Sequence, residues 1–287
     1  MKYICNNWKF FNLRLIALRY FLHIAYNGNN YRGWQKLPGI ISVQQVIETT
    51  LSQVLKEAVS IVGCGRTDAQ VHASQFFFHF DIDRELDFDL QFRLNKCLPH
   101  DITVYDVIPM EGLPHARFDA IQRSYDYYIH IQKDPYLVGL SSFYPLTNPD
   151  LIKMNEAVGL LTNYDDYGCF CKSPLKYEHT ICHVSKAQLF SNTDHTRLRF
   201  YISSNRFLAG MIRIIVGKLL EIGNGELSVA DFEQYLKTKV TPKTIVPVYA
   251  QGLYLSKVTY PYLDLPSASI FGRILQNEVD VPIIKAP

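Results

Sequence analysis

The stretch "SVQQVIETTLSQVLKEAVSIVGCGRTDAQVHASQFFFHF", residues 42–80, changes its pattern twice. Val43, Val46, Ile47, Thr50, Leu51, Val54 and Leu55 recur at i, i+3, i+4, which predicts an amphipathic helix. Ser42, with Gln45 three residues on, reads as a capping box at its start. "VSIVGC" (59–64) and "VHASQFFFHF" (71–80) then read as strands. Between them the polar loop carries Arg66, Thr67 and Asp68. A helix followed by two strands on a short loop points to a mixed α and β architecture. Asp68 is either an ordinary turn residue or a reactive carboxylate mounted between two rigid elements.

The same alternation extends in both directions. Upstream, "RYFLHIAYNGNNYRGWQ" gives a strand at Arg19–Tyr26 followed by a Gly/Asn turn, and downstream a short helix near Asp89–Leu98 precedes the strand "ITVYDV". In the second half "RSYDYYIHI" alternates Tyr125, Tyr127, Ile129 and Ile131 on one face. "NPDLIKMNEAVGLL" predicts a helix with Asn148 as N-cap and Pro149 at the first position. Strands "ICHVSKAQLF" and "TRLRFYISS" follow, then an apolar helix from about Arg206 to Ile222 stopped by Gly223. A capped helix after Ser228 and a strand "QGLYLSKVTY" complete the pattern. The expected fold is α+β: two ferredoxin-like (RRM-like) sandwich halves with mostly antiparallel sheets, sharing or abutting those sheets. Their expected bounds are 18–112 and 113–265, with an extension at 1–17 and a tail at 266–287 that shows little periodicity.

Composition fits a globular chain with a sizeable core: 287 residues, 48% hydrophobic and 20% charged. A net charge of +2 is too small to mark a nucleic-acid binder, so any basic surface must be local. The 19 tyrosines and 17 phenylalanines suit base stacking and a β-rich core equally. Six cysteines without a scaffold spacing read as reduced thiols of a cytoplasmic protein. No apolar run reaches the roughly 18 residues of a membrane span, and the start lacks the unbroken apolar core of a signal peptide. Cys169, Cys171, His179, Cys182 and His183 invite a zinc reading, but C-x-C and C-H do not match structural-site spacings, and no metal is expected.

Arg213 sits inside "AGMIRIIVGKLL", where a charge is not buried without a partner. Gly210 and Gly217, at i−3 and i+4, predict room for another backbone beside it. Either Arg213 snorkels outward or it points at a carboxylate. Tyr125 is either a core tyrosine, as Tyr127 would be, or a ring presented to a ligand. Arg197 and Arg199 of "RLRF", with Arg32, Arg117, Arg123, Arg206 and Lys218, are candidate RNA contacts.

"GRTDAQVHA" resembles the GRTDAGVHA signature of the TruA family of tRNA pseudouridine synthases. "YNGNNYRGWQ", "LNKCLPHDITV", "HARFDAIQRSYDYYI", "FLAGMIRIIVGKLLEIG" and "AQGLYL" resemble further family blocks, in family order, across roughly residues 18–262. The resemblance implies a cofactor-free isomerase that converts uridine to pseudouridine at positions 38–40 of the tRNA anticodon stem-loop. It implies a homodimer, with tRNA as partner. It makes Asp68 the catalytic carboxylate, joined by Tyr125 and Arg213, with Arg66, Thr67, His72 and Leu253 at the substrate. The alternative is a non-catalytic or retargeted RNA-binding paralogue. One departure stands in the signature: Gln70 replaces its glycine, and an unstrained, negative φ is expected there.

Overall fold

The structure is a computed structural model that describes residues 17–268 and 279–283. Its first half runs β1 (Leu18–Tyr26), α1 (Val43–Leu55), β2 (Val62–Gly63), β3 (His72–Ile82), α2 (Leu90–Cys97), β4 (Ile102–Met110). The second runs β5 (Gln122–His130), β6 (Ser142–Phe143), α3 (Leu151–Leu160), β7 (Val184–Ser191), β8 (Arg197–Ser204), α4 (Met211–Gly223), α5 (Val229–Thr238), β9 (Leu253–Thr259), β10 (Val281–Pro282). Strands pair as β4-β1-β3-β2 in one half and β9-β5-β8-β7 in the other. Each half thus repeats the split βαβ order expected of a ferredoxin-like unit. The halves do not merely abut. β9 lies between β5 and β3 and joins everything into one sheet, antiparallel except at the short β3/β9 and β5/β6 contacts.

Apolar alternation along the strands places the two cores. Phe76, Phe78 and Phe80 of β3 share one core with Val43, Ile47 and Leu51 of α1, and Trp34 stacks on Phe76 with ring centroids 4.0 Å apart. Phe200, Ile215 and Phe232 belong to the core of the second half. Leu255 and Val258 of β9, with Tyr260 just beyond it, belong to the core of the first half. Gln75, fully buried on β3, reinforces the seam by accepting from the Val258 amide at 2.9 Å and donating to the Leu265 carbonyl at 2.9 Å.

Several boundaries differ from the sequence expectation, each for a local reason. β2 is only two residues long because the backbone before it is occupied by α1 side chains. The Ile61 amide donates to Glu48 and the Ile61 carbonyl accepts from Gln44. Ser42 does cap α1, accepting from the Gln45 amide, but Gln45 Oε1 finds no partner among the described residues, so the return arm of the capping box is missing. α3 starts at Leu151 with Asp150, not Asn148, as its N-cap; Asn148 takes φ 48 and Asp150 accepts from the Lys153 amide. α4 starts at Met211 rather than near Arg206, because Gly210 has φ 73 and ends any helical path before it. Part of the described tail joins the sheet. Val281 and Pro282 pair with β7, and the Ile283 carbonyl accepts from Asn155 at 2.6 Å. Two residues are too few for periodicity to show. Of the extension expected at 1–17, residues 1–16 lie outside the described residues.

Candidate active site

β3 changes partner along its length. Phe78 and His79 pair with β2, whereas His72 and Ala73 pair with β9. The loop carrying Arg66, Thr67 and Asp68 emerges at this switch, beside a cleft of about 930 Å³. Residues 64–68 and Val71 line it from the first half; Tyr125, residues 205–213 and Leu253 line it from the second.

The loop is held by the turn that precedes α1. The Trp34 amide donates to the Thr67 carbonyl at 3.1 Å, and the Gln70 amide donates to the Tyr31 carbonyl at 3.1 Å. The Thr67 hydroxyl lies 2.9 Å from the Tyr26 hydroxyl. Two glycines make this approach possible. A Cβ on Gly28 would stand 2.1 Å from the Val71 carbonyl oxygen, and one on Gly33, at φ 93, 2.5 Å from that of Thr67. Only a missing side chain lets the two backbones come so close. Gln70 closes the loop at φ 64, so the expected negative φ is wrong. The left-handed conformation costs a non-glycine residue roughly 1 kcal/mol, and Gln70 carries that strain with its side chain exposed.

Asp68 and Arg213 meet across the cleft, Oδ2 to Nη1 at 3.3 Å. The Asp68 side chain is 52% exposed and that of Arg213 15%. Arg213 Nε donates to the Val248 carbonyl at 2.7 Å, which fixes the aim of the guanidinium. Gly217 serves as expected: a Cβ there would lie 3.1 Å from the Val246 carbonyl, on the strand of chain that holds Arg213. Gly210 serves differently, as the left-handed residue ahead of α4.

Tyr125 and Tyr127 point to the same side of β5 but do different things. Tyr127 is fully buried and donates to the Tyr249 carbonyl at 2.7 Å. Tyr125 is partly exposed, lines the cleft and meets Phe207 edge-on at 5.1 Å. Burial pushes the Tyr125 phenol well above its ordinary value; nearby Arg123 opposes the shift, and Cys64 and Asp68 add to it. The phenol therefore stays protonated across the working pH range.

His72 is not among the cleft-lining residues. Its Nδ1 accepts from the Gly28 amide at 3.0 Å, its Nε2 donates to the Gln251 carbonyl at 3.1 Å, and its ring stacks on Tyr254 at 4.4 Å. Burial pushes its pKa down to about 4, so the ring is a neutral brace between the β1 turn and the entry to β9.

The candidate RNA-binding cations divide sharply. Arg66, Arg117 and Arg206 line the cleft and are exposed or partly so. Arg123 lines it too, but its guanidinium is consumed by the carbonyls of Cys64, Arg117, Ala120 and Asn205, which makes it a brace for three loops. Arg199 is buried against Asp126 at 3.0 Å, and Lys218 is buried against Glu221 at 2.7 Å, and neither lines the cleft. Among the described residues lining the cleft are five arginines and one acid, Asp68. Burial pushes the Arg117 guanidinium below its ordinary value, and repulsion from Arg66 and Arg123 adds to it. Such a surplus of positive charge favours a polyanion.

Cys169, Cys171 and Cys182 are buried as core residues. Burial pushes the Cys169 thiol up to about 12 and that of Cys182 up to about 11. Among the described residues, no three His, Cys, Asp or Glu side chains gather as a metal-binding group. Phe207, which frames Tyr125, was not singled out in the sequence; one more aromatic before an apolar helix carries no distinguishing signal.

Fold and cleft together define a two-lobed α+β enzyme with one carboxylate in an arginine-rich cleft at the seam of its sheet. Residues 163–261 match a family model described as tRNA pseudouridine synthase. The chain is 39% identical over 246 residues to tRNA pseudouridine synthase A of Porphyromonas gingivalis, covering 85% of this chain and 97% of that protein. It is 42% identical over 247 residues to the protein of the same name from Azobacteroides pseudotrichonymphae, with 85% and 97% covered. To that of Staphylococcus aureus it is 33% identical over 251 residues, with 86% and 92% covered. The chain belongs to the tRNA pseudouridine synthase A family.

Proposed function

We propose that this enzyme isomerises uridine to pseudouridine in the anticodon stem-loop of tRNA, at positions 38–40, with Asp68 as the reacting carboxylate. The observation that carries this reading is the Asp68–Arg213 pair, which leaves a half-exposed carboxylate in a cleft whose other charged lining residues are all arginines. The reaction breaks the N1–C1′ bond and joins C1′ to C5; C5 loses a proton and N1 gains one. Asp68 acts on the sugar, either as nucleophile at C1′ or as base at C2′. Arg213 orients the carboxylate from a fixed position. Tyr125 offers its ring to the uracil face. As a protonated phenol it takes the C5 proton only by passing its own onward, so it relays rather than stores that proton.

The uridine must leave its stack to reach Asp68. Arg66, on the same loop, would enter the vacated space or hold the adjoining phosphate, and Arg117 and Arg206 extend the cationic rim. Thr67 fixes the loop through Tyr26, and Leu253 walls the pocket with an apolar side chain. His72 enters this reading as a brace, not a substrate contact. The homodimer and the cytoplasmic setting belong to the same reading. Among the described residues, no helix is long and apolar enough to cross a membrane.

The test is to incubate the purified enzyme with an unmodified tRNA transcript and map pseudouridine by mass spectrometry. Conversion at positions 38–40 is expected. Conversion confined to other uridines would overturn the positional assignment, and no conversion in any tRNA would overturn the activity.

A further inference from the structure

Phe118 stands on the cleft rim with 75% of its surface exposed, and Ile121, 54% exposed, lines the same cleft, so the rim carries an apolar patch rather than a lone ring. The loop that presents Phe118 is tied by a series of hydrogen bonds. The Arg117 and Phe118 amides both donate to His115 Nδ1, at 3.1 and 3.2 Å, and the His115 amide donates to Asp119 at 2.7 Å. Next to it, the Ala116 amide donates to His79 Nδ1 at 3.1 Å and the Tyr260 hydroxyl to the Ala116 carbonyl at 2.6 Å. The Arg117 and Ala120 carbonyls both accept from Arg123. The His115 ring stacks behind Phe118, centroids 4.2 Å apart and planes within 28°, and meets His79 edge-on at 4.9 Å. Phe118 is thus backed by an aromatic ladder that reaches into the sheet, and among the described residues no second ring stacks on it.

We propose that Phe118 is a stacking platform for a nucleobase of the RNA substrate, one that neighbours the uridine held at Asp68. The flanking charge fits: Arg117 lies 5.8 Å from the Phe118 ring, and Arg66 and Arg206 line the same cleft. Cations that track phosphates beside an exposed ring are the usual grammar of single-stranded nucleic-acid recognition, and stacking tolerates any base. Once the target uridine is withdrawn, its neighbour loses a stacking partner, and a fixed ring is suited to replace it. The inference rests on the proposed function, since it takes the substrate to be an RNA with one base extruded.

The test compares Phe118→Ala, Phe118→Leu and Phe118→Trp with the unchanged enzyme in tRNA binding, turnover and melting. Because the ring is exposed, melting temperatures should agree. Phe118→Ala should weaken tRNA binding about tenfold, in line with the loss of one stacked base; Phe118→Leu should fall with it, and Phe118→Trp should bind like the parent. Equal binding by Phe118→Ala, or full rescue by Phe118→Leu, would overturn stacking. A change in oligomeric mass of Phe118→Ala would overturn it too, by showing that a second copy covers the ring. If the unchanged enzyme makes no pseudouridine in any tRNA, the proposed function fails instead, and this outcome is read before the variants are compared.

Discussion

Arg199 meets Asp126 at 3.0 Å and Arg213 meets Asp68 at 3.3 Å, so the molecule holds the same ion pair in two settings. In the first, Arg199 is 9% exposed and Asp126 not at all; Arg199 also donates to the Val279 carbonyl and lies over the Phe190 ring at 4.0 Å. That pair is closed, and it locks β5, β8 and the chain ahead of β10 together. In the second, a 52% exposed Asp68 meets Arg213 at its edge. A carboxylate left open to a cleft can react, whereas one sealed beneath a guanidinium can only hold. Under the proposed function, burial is what separates a structural pair from a reactive one where residue type does not.

Breaking each pair should show this division, and the largest effect is expected at Arg213. Arg213→Leu should lower turnover about a hundredfold, a loss of ~2.7 kcal/mol in transition-state stabilisation. Its stability should fall by only about 1–2 kcal/mol, since the ion pair is half in water and one hydrogen bond to Val248 is lost. Single-turnover rates beside denaturant midpoints would check both, and unaltered turnover would mean that Asp68 needs no partner. Arg199→Leu should do the reverse. It takes the guanidinium away from a buried carboxylate and should cost about 3–5 kcal/mol of stability, while turnover per folded molecule stays near that of the parent. A comparable loss of turnover there would erase the distinction.

Gln70 sharpens the comparison from the side of the loop. Gln70→Gly should relieve about 1 kcal/mol of left-handed strain and raise the melting temperature by about 2–4 °C. Turnover should stay within roughly tenfold, because the backbone that holds Asp68 is tied independently through Thr67 and Tyr31. A melting temperature that stays level or falls would mean that Gln70 is not strained.

The smallest effect concerns pH. Burial lowers His72 from 6.5 to about 4, and His79 likewise to about 4, so both rings are neutral when folded. The unfolded chain then binds protons that the folded chain refuses. Stability is full above about pH 6.5 and is lost as pH falls toward 4. His72→Gln should make the slope of melting temperature against pH shallower in that window without abolishing it, because His79 still contributes. An identical slope would place the titration elsewhere.

Much of this was legible in the sequence, and the exceptions have physical causes. Arg213 announced itself as a charge inside an apolar helix, with Gly217 marking the close approach of Val246. Arg199 did not, because a strand alternation such as "RLRF" is the same whether its polar face meets water or is covered by residues distant in the chain, here Asp126 and Val279. Tyr125 and Tyr127 could not be separated either, since both follow the same alternation and only the tertiary seam leaves one of them in the cleft. The φ of Gln70 is positive where a negative value is expected, because the loop sequence alone does not set it. Instead Gly28 and Gly33 let a second backbone clamp the loop, and the clamp imposes the conformation.

The most direct test replaces each carboxylate by its near-isosteric amide, Asp68→Asn and Asp126→Asn, and measures pseudouridine formation, tRNA binding and melting on the same preparations. Asp68→Asn should bind tRNA within a few-fold, melt within about 1 kcal/mol of the parent, and form no pseudouridine. Asp126→Asn should melt clearly lower and still turn over when folded. Substantial pseudouridine formation by Asp68→Asn would contradict the assignment of Asp68 as the reacting group, and with it the claim that the open ion pair is the one that performs the chemistry.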